Sequence, residues 1–225
     1  MGQTNSGVIE AFSRAAVRLQ GHGASDVPVG AYSIDRMGRD VIEPLDALQI
    51  DKAHFLGLSF GGAVGQWLGI HAPERIDRLV LSNTSSYLGP AEGWDHMIAN
   101  VRQAADLTEI ADMFIGNWFP SSILETEKEL VSSFREMVLS TNPQGLAGTF
   151  AAIRDLDMRR TVALINSPTL VIAGQYDTVT LPSHNELIAA TVPDAKLVML
   201  PAVHLSNIER QDDFLKAVLE FLLSK

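Results

Sequence analysis

Residues 54–71 read HFLGLSFGGAVGQWLGIH, and this stretch decides the fold. It holds a Gly-X-Ser-X-Gly pentapeptide at 57–61, between a short apolar run and a helical pattern. A serine on a sharp turn between a strand and a helix is typical of a nucleophile elbow. The pattern predicts a strand over His54–Leu58, a helix over Gly62–His71, and Ser59 as a nucleophile between them. The alternative is a tight strand–helix turn without chemistry.

The small residues of the pentapeptide fit a strained turn. We expect Gly57 and Gly61 to lack side chains that would collide with the turn, and Gly62 to let the helix approach the strand. The backbone N–H of Phe60 would then point at the oxyanion that develops when Ser59 attacks a carbonyl.

A serine nucleophile needs a base, and the base needs an orienting carboxylate. On this type of scaffold the chain order is serine, acid, histidine. Asp177 follows an apolar run that ends at Gly174, and His204 follows one that ends at Leu200. Both loops would lie at the same edge of a parallel sheet as Ser59. The alternatives are an aspartate that caps a turn and a histidine on the surface.

Apolar runs alternate with helical patterns along most of the chain. Ser33 caps a predicted helix in which Pro44 predicts a kink or break, and Ser183 begins a predicted capping box. Three further strands are predicted over Arg78–Asn83, Pro168–Ala173 and Lys196–Leu200. Because these runs are apolar on both faces, the fold class is α/β, with a mostly parallel sheet and helices on both faces.

Residues 86–160 interrupt this alternation with helical patterns and no good strand. We interpret them as a helical cap inserted into a core formed by residues 1–85 and 161–225. Trp94 and Trp118 lie in this cap and could supply apolar walls to a substrate pocket.

Composition excludes several classes of function. The chain has 225 residues, a formal net charge of −10 and no cysteine. The negative charge argues against nucleic-acid partners, and the absence of cysteine excludes disulfides and thiolate metal sites. No histidine pair has metal-ligand spacing, so we do not expect a metal site. No apolar run approaches the roughly 20 residues of a membrane span. We expect a cytoplasmic protein with a small-molecule substrate and no membrane partner, able to form a homo-oligomer.

Five segments resemble the 3-oxoadipate enol-lactonases of the α/β-hydrolase superfamily. They are GHGAS at 21–25, GLSFGGAVGQWLG at 57–69, HAPERI at 71–76, LSNTS at 81–85 and AAIRDLD at 151–157. The resemblance implies an α/β-hydrolase fold and a cofactor-free enzyme of aromatic catabolism, in the β-ketoadipate pathway. It would open a small enol-lactone to 3-oxoadipate through an acyl-enzyme. A general carboxylesterase and a carbon–carbon bond hydrolase of the same fold remain alternatives.

The resemblance does not extend to the N-terminus. Members of this family begin with several strands, and a loop after one of them supplies a second oxyanion N–H. Residues 1–20 instead have the pattern of a weak amphipathic helix. We therefore expect the N-terminal strands and half of the oxyanion hole to be missing. An open sheet edge would favour self-association, and a truncated, poorly active member is a further alternative.

The implied lactone carries a carboxylate, which the net negative charge of the chain would repel. Arg154 lies in an otherwise apolar helical stretch at the end of the cap and is the predicted substrate-binding cation. The alternative is that Arg154 pairs with Asp155 or Asp157 and fixes the cap in place.

Overall fold

The computed structural model describes residues 15–224. The amphipathic helix predicted over residues 1–20 therefore lies mostly outside the described residues, and residues 15–19 have no regular secondary structure.

Four parallel strands form one sheet in the described residues, in the order β1-β2-β3-β4. They are β1 (Ala53–Leu58), β2 (Ile76–Ser82), β3 (Thr169–Gly174) and β4 (Lys196–Leu200). All four strand predictions are confirmed to within two residues at each end. Within the described part of the chain β1 forms one edge of the sheet, and the side chain of Leu56 on it is 45% exposed.

Ten α-helices lie between residues 15 and 224. They are α1 (Ile34–Ala47), α2 (Phe60–His71), α3 (Ala91–Gln103), α4 (Thr108–Trp118), α5 (Ser121–Thr126), α6 (Lys128–Leu139), α7 (Pro143–Arg154), α8 (Pro182–Thr191), α9 (Ser206–Glu209) and α10 (Gln211–Leu222). Short 3₁₀ turns at Pro73–Arg75 and Val162–Leu164 precede β2 and β3.

Helices cover both faces of the sheet, as predicted. Side chains alternate along β2, so that Leu79 and Leu81 pack in one core cluster with α1, α2 and α8. Val80 points the other way and packs with Phe214 and Phe221 of α10. Burying each such side chain contributes about 1.5–3 kcal/mol, so this two-sided core fixes the register that brings the strand ends together.

The break considered at Pro44 and the capping box predicted at Ser183 are both wrong. Helix α1 begins at its Ser33 cap as predicted but continues through Pro44 to Ala47 without a break. Since Pro44 stands in the last turn, it removes only one backbone hydrogen bond near a helix end. The capping box predicted at Ser183 does not form, because α8 begins at Pro182 and its cap residue, Leu181, makes no side-chain cap.

Helices α3 to α7 all lie in the chain segment between β2 and β3. Four of them, α3, α4, α6 and α7, share a core of their own, which includes Val101, Ala111, Val138, Leu146 and Phe150. The division into a core (1–85 and 161–225) and a cap (86–160) stays a prediction, and we use "the cap" for residues 86–160. In the described residues no helix has the length and apolar character that crossing a membrane requires.

Candidate active site

The backbone of Ser59 has a conformation that is rare for a residue with a side chain. It connects the end of β1 to the start of α2 with φ 55° and ψ −119°. Such a conformation costs about 1–3 kcal/mol and persists only where neighbours hold it. Here the Ser59 N–H donates to Ser82 O at 2.9 Å, and Thr84 Oγ1 donates to Ser59 O at 2.7 Å. The turn thus places the Ser59 hydroxyl at the carboxyl edge of the sheet.

Two of the three glycines at this turn are sterically required. A Cβ on Gly57 would lie 2.1 Å from Gly61 O, and one on Gly62 would lie 2.5 Å from the Cβ of Thr84. The expectation for Gly61 is wrong, because a Cβ there would meet nothing within 4 Å. The turn brings the carbonyl of Gly61, and not its α-carbon, against the strand.

The structure brings Ser59, His204 and Asp177 into one hydrogen-bonded series. His204 Nε2 lies 2.9 Å from Ser59 Oγ, and His204 Nδ1 lies 2.9 Å from Asp177 Oδ2. His204 is 1% exposed and Asp177 is 2% exposed. The ring is therefore held on both sides away from solvent. This geometry allows the imidazole to take the serine proton while the carboxylate holds the other ring N–H.

Asp177 is surrounded by hydrogen-bond donors. Its Oδ1 accepts from the backbone N–H groups of Val179 (2.8 Å) and Thr180 (3.0 Å). Its Oδ2 accepts from the Thr180 hydroxyl (2.8 Å) and Asn83 Nδ2 (3.0 Å), besides His204. Burial raises the pKa of this carboxyl, but the bonds from His204, Asn83 and Thr180 outweigh it and lower the pKa to about 2. Asp177 is therefore a carboxylate at any pH where the protein would work.

Asn83 is a positioning residue that the sequence analysis did not identify. It directly follows β2 with φ 43° and is fully buried. Its Oδ1 accepts from the hydroxyls of Ser82 and Ser206, which fixes the amide so that Nδ2 faces Asp177. A polar residue at the carboxyl end of β2, the neighbour of β3, is the sequence feature that could have indicated it.

A cavity of about 920 Å³ opens above the series. Ser59, His204 and Phe60 line it, and so do the two cap residues Trp94 and Trp118. Since Phe60 is the first residue of α2, its N–H has no acceptor in its own helix. Five of the predicted site residues thus line this cavity, whereas Asp177 does not line it.

Arg154 is not among the residues that line the cavity. Its guanidinium donates to Asp155 Oδ1 at 2.7 Å and to Asp95 Oδ1 at 2.8 Å. These two partners raise the pKa of Arg154 and occupy its donors. The substrate-binding role expected of Arg154 is therefore corrected to a structural one, in which it ties α7 to α3. Asp155 is one of the two partners predicted for Arg154 if it fixes the cap in place. The contact with Asp95 was not predicted, because it depends on packing between distant segments.

Two other basic residues line the cavity, Arg18 and His22. Both belong to the segment before α1. The Arg18 side chain lies close to Gly23 in this segment, because a Cβ on Gly23 would lie 3.1 Å from Arg18 Cδ. Arg18 has no ion-pair partner within residues 15–224, and among those residues no aspartate or glutamate lines the cavity. Neither residue was predicted to belong to the site: Arg18 lies in the predicted amphipathic helix, and His22 lies in the GHGAS segment at 21–25. Nowhere in residues 15–224 do three potential metal ligands of the His, Cys, Asp or Glu type converge.

The chain matches the family model for the α/β-hydrolase fold over residues 16–211. The chain belongs to the α/β-hydrolase family. Within it, this α/β-hydrolase groups with the 3-oxoadipate enol-lactonases. It is 38% identical to 3-oxoadipate enol-lactonase 2 of Acinetobacter baylyi, over 88% of this chain and 74% of that protein.

Solved structures of hydrolases agree with this placement. A hydrolase from Pseudomonas aeruginosa is 59% identical and superposes with a TM-score of 0.90, over 92% of this chain and 78% of that one. The enol-lactonase from Burkholderia xenovorans is 34% identical with a TM-score of 0.89, over 92% and 79% of the two chains. This α/β-hydrolase therefore spans about three quarters of the length of these proteins.

Proposed function

We propose that this chain opens 3-oxoadipate enol-lactone to 3-oxoadipate, and that the reaction passes through an acyl-enzyme on Ser59. That the chain is a hydrolase of ester or lactone bonds follows from its family and its enol-lactonase relatives. The finer proposal rests on one observation. A serine, a histidine and an aspartate form a hydrogen-bonded series at the base of a cavity that can hold the substrate.

The chemical steps follow from the positions of the three side chains. His204 Nε2 takes the proton of Ser59 as Oγ attacks the lactone carbonyl, and Asp177 stabilises the imidazolium that forms. The carbonyl then re-forms and the ring C–O bond breaks, so that the enol oxygen leaves and takes the proton from His204. The enol stays attached to the acyl group and tautomerises to a ketone. A water activated by the neutral His204 then releases the dicarboxylate and restores the Ser59 hydroxyl.

The oxyanion of the tetrahedral intermediate needs donors already in place. We assign one of them to the N–H of Phe60, which begins α2 directly after the nucleophile. The resemblance implies a second N–H from a loop upstream of Gly21, a region of which the structure describes only residues 15–20. Removing one such donor typically lowers kcat by about 10²–10³.

The carboxylate of the lactone needs a cation at the cavity, and with Arg154 held by two aspartates we propose Arg18 for this role. Arg18 lines the cavity, and a guanidinium can bind a carboxylate with two parallel hydrogen bonds. His22 also lines the cavity and offers a further polar ring to the carboxylate.

Turnover of the enol-lactone by the purified chain tests this function. The wild-type protein should convert the lactone to the keto acid, and Ser59→Ala should lose all but a trace of this activity. Ser140→Ala is the matched control, because Ser140 also lines the cavity but bonds only to Met137 O. A Ser59→Ala protein as active as Ser140→Ala would contradict the proposal.

A further inference from the structure

The cavity is much larger than the proposed lactone requires. Its volume of about 920 Å³ lies near the top of the range of about 300–1,000 Å³ that pockets use to enclose drug-sized ligands. A monocyclic lactone with about ten non-hydrogen atoms is small on that scale and would leave most of the space unfilled. The part of the cavity away from Ser59 therefore has room for another substrate group.

Apolar side chains of the cap line this space. Five side chains are only partly buried against the hydrophobic core of the cap, namely Trp94, Met97, Phe114, Trp118 and Ile153. All five line the cavity. The apolar surface of these five side chains is thus directed at the cavity. Binding an apolar ligand there would lower the free energy, whereas contact with water is unfavourable.

The aromatic rings form a continuous series that begins beside the triad. Trp118 O accepts from the N–H of Leu205, the residue after His204. Phe114 stacks on Trp118 with ring centroids 4.9 Å apart, and Phe150 meets Phe114 edge-on at 6.2 Å. Trp94 follows, 5.4 Å from Phe150. We call these four rings (Trp118, Phe114, Phe150 and Trp94) the aromatic track.

The aromatic track carries no charge that a polar substrate group could use. The indole N–H of Trp94 is already bonded to Leu88 O. The basic residues Arg18 and His22 belong to a different segment, before α1, and within residues 15–224 no acidic side chain lines the cavity. An uncharged linear group therefore fits the track better than a second carboxylate.

We propose that the aromatic track binds the unbranched apolar acyl chain of a neutral ester or lactone, so that medium-chain esters and lactones are a second substrate class. For its chemistry this inference rests on the function proposed for Ser59. The ester C–O bond breaks as the Ser59 Oγ–acyl bond forms, and the alcohol leaves with the proton from His204. Water then releases the fatty acid.

A series of p-nitrophenyl esters from acetate through butyrate and hexanoate to octanoate tests the inference. Each methylene that enters an apolar site should raise kcat/KM by about three- to fourfold. The expected result is a continuous rise to octanoate. A flat series, or one that falls after butyrate, would overturn the inference.

Two track variants and a matched control locate the effect. Trp94→Leu, at the far end of the track, should lower kcat/KM for octanoate about tenfold and kcat/KM for acetate by a much smaller factor. Phe114→Leu should lower kcat/KM for both hexanoate and octanoate. Phe134→Leu is the control, because Phe134 also contacts the Trp118 ring but does not line the cavity. Equal changes in chain-length preference for Phe114→Leu and Phe134→Leu would contradict the track.

A binding measurement separates this inference from the proposed function. Quenching of tryptophan fluorescence in Ser59→Ala, titrated with 2-undecanone and with 2-butanone, reports chain binding without chemistry. Much tighter binding of the longer ketone, in a chain whose wild type does not open the enol-lactone, would support the track and refute the lactonase proposal. Equal binding of the two ketones, in a chain whose wild type opens the lactone, would refute the track alone.

Discussion

Replacing Asp177 with asparagine tests how the imidazole is oriented. The two backbone N–H groups that meet Oδ1 can only donate, whereas the Thr180 hydroxyl and the His204 ring, which meet Oδ2, can turn from donor to acceptor. The new amide should therefore keep its oxygen towards the backbone and direct its NH₂ group towards His204. The imidazole would then carry its proton on Nε2, facing Ser59, and could not accept the serine proton.

The structure sets the size of two effects of Asp177→Asn, one on kcat and one on stability. A histidine held in the wrong tautomer lowers kcat by about 10⁴. Among the groups at Oδ2, Asn83 Nδ2 is the one that cannot change from hydrogen-bond donor to acceptor, so two donors would face each other when the new NH₂ group takes the place of Oδ2. One N–H of Asn83 Nδ2 keeps Val203 O as its acceptor, at 3.3 Å, and the other N–H would be buried without an acceptor, which costs about 1–3 kcal/mol. For a chain of this length that lowers Tm by roughly 2–12 °C.

The assay for Asp177→Asn is kcat for p-nitrophenyl acetate and for the enol-lactone, together with thermal unfolding. Asp157→Asn is the control, because Asp157 is exposed and pairs only with Arg159 at the surface. A variant of Asp177 that keeps more than about one-tenth of wild-type kcat would refute the orienting role. A fall in Tm well beyond about 12 °C would show that the carboxylate mainly holds the fold together.

Three further predictions concern the elbow, the base and the substrate carboxylate. Gly57→Ala should lower the free energy of unfolding by about 3 kcal/mol or more and remove most of the activity, whereas Gly61→Ala should leave stability unchanged or raise it by up to about 1 kcal/mol. Equal effects of the two variants in denaturant unfolding would contradict the geometry of the turn. Because the pKa of Asp177 is lowered to about 2, its contribution to stability is complete above the ordinary pKa of 3.8 and is lost only as the pH falls through 2. A loss of activity between about pH 5 and 8 would therefore not come from Asp177, and a rate that is flat over this range, with chemistry limiting, would exclude a histidine base. Arg18→Gln should raise KM for the anionic lactone about tenfold and spare p-nitrophenyl acetate, whereas equal losses on both would show that Arg18 only supports its loop.

The strands and the order of the site residues could be predicted because short-range patterns determine them. Uninterrupted apolar runs predicted β2 and β3, since a strand covered on both faces has no polar side. The loops that carry Asp177 and His204 then had to lie at the same edge as Ser59, because parallel strands present their carboxyl ends together.

Contacts between distant segments could not be predicted in the same way. Arg154 meets Asp95 only because α7 packs on α3, and nothing in the local sequence records that packing. Asn83 reaches Asp177 because β2 and β3 are neighbours with Ser82 opposite Ile172. The direction of a Cα–Cβ bond, as at Gly61, likewise depends on the backbone angles of the turn and not on the motif.

The most direct test of the central claim is to find the acyl group on the protein. The wild-type chain is mixed with excess p-nitrophenyl acetate, quenched in acid within the first turnover, and digested for peptide mass mapping. The account predicts a burst of nitrophenol close to one per chain, and one acetyl group on the peptide that contains Ser59. Hydrolysis in steady state with the acetyl group on another residue, or with Ser59→Ala giving the same burst, would contradict it.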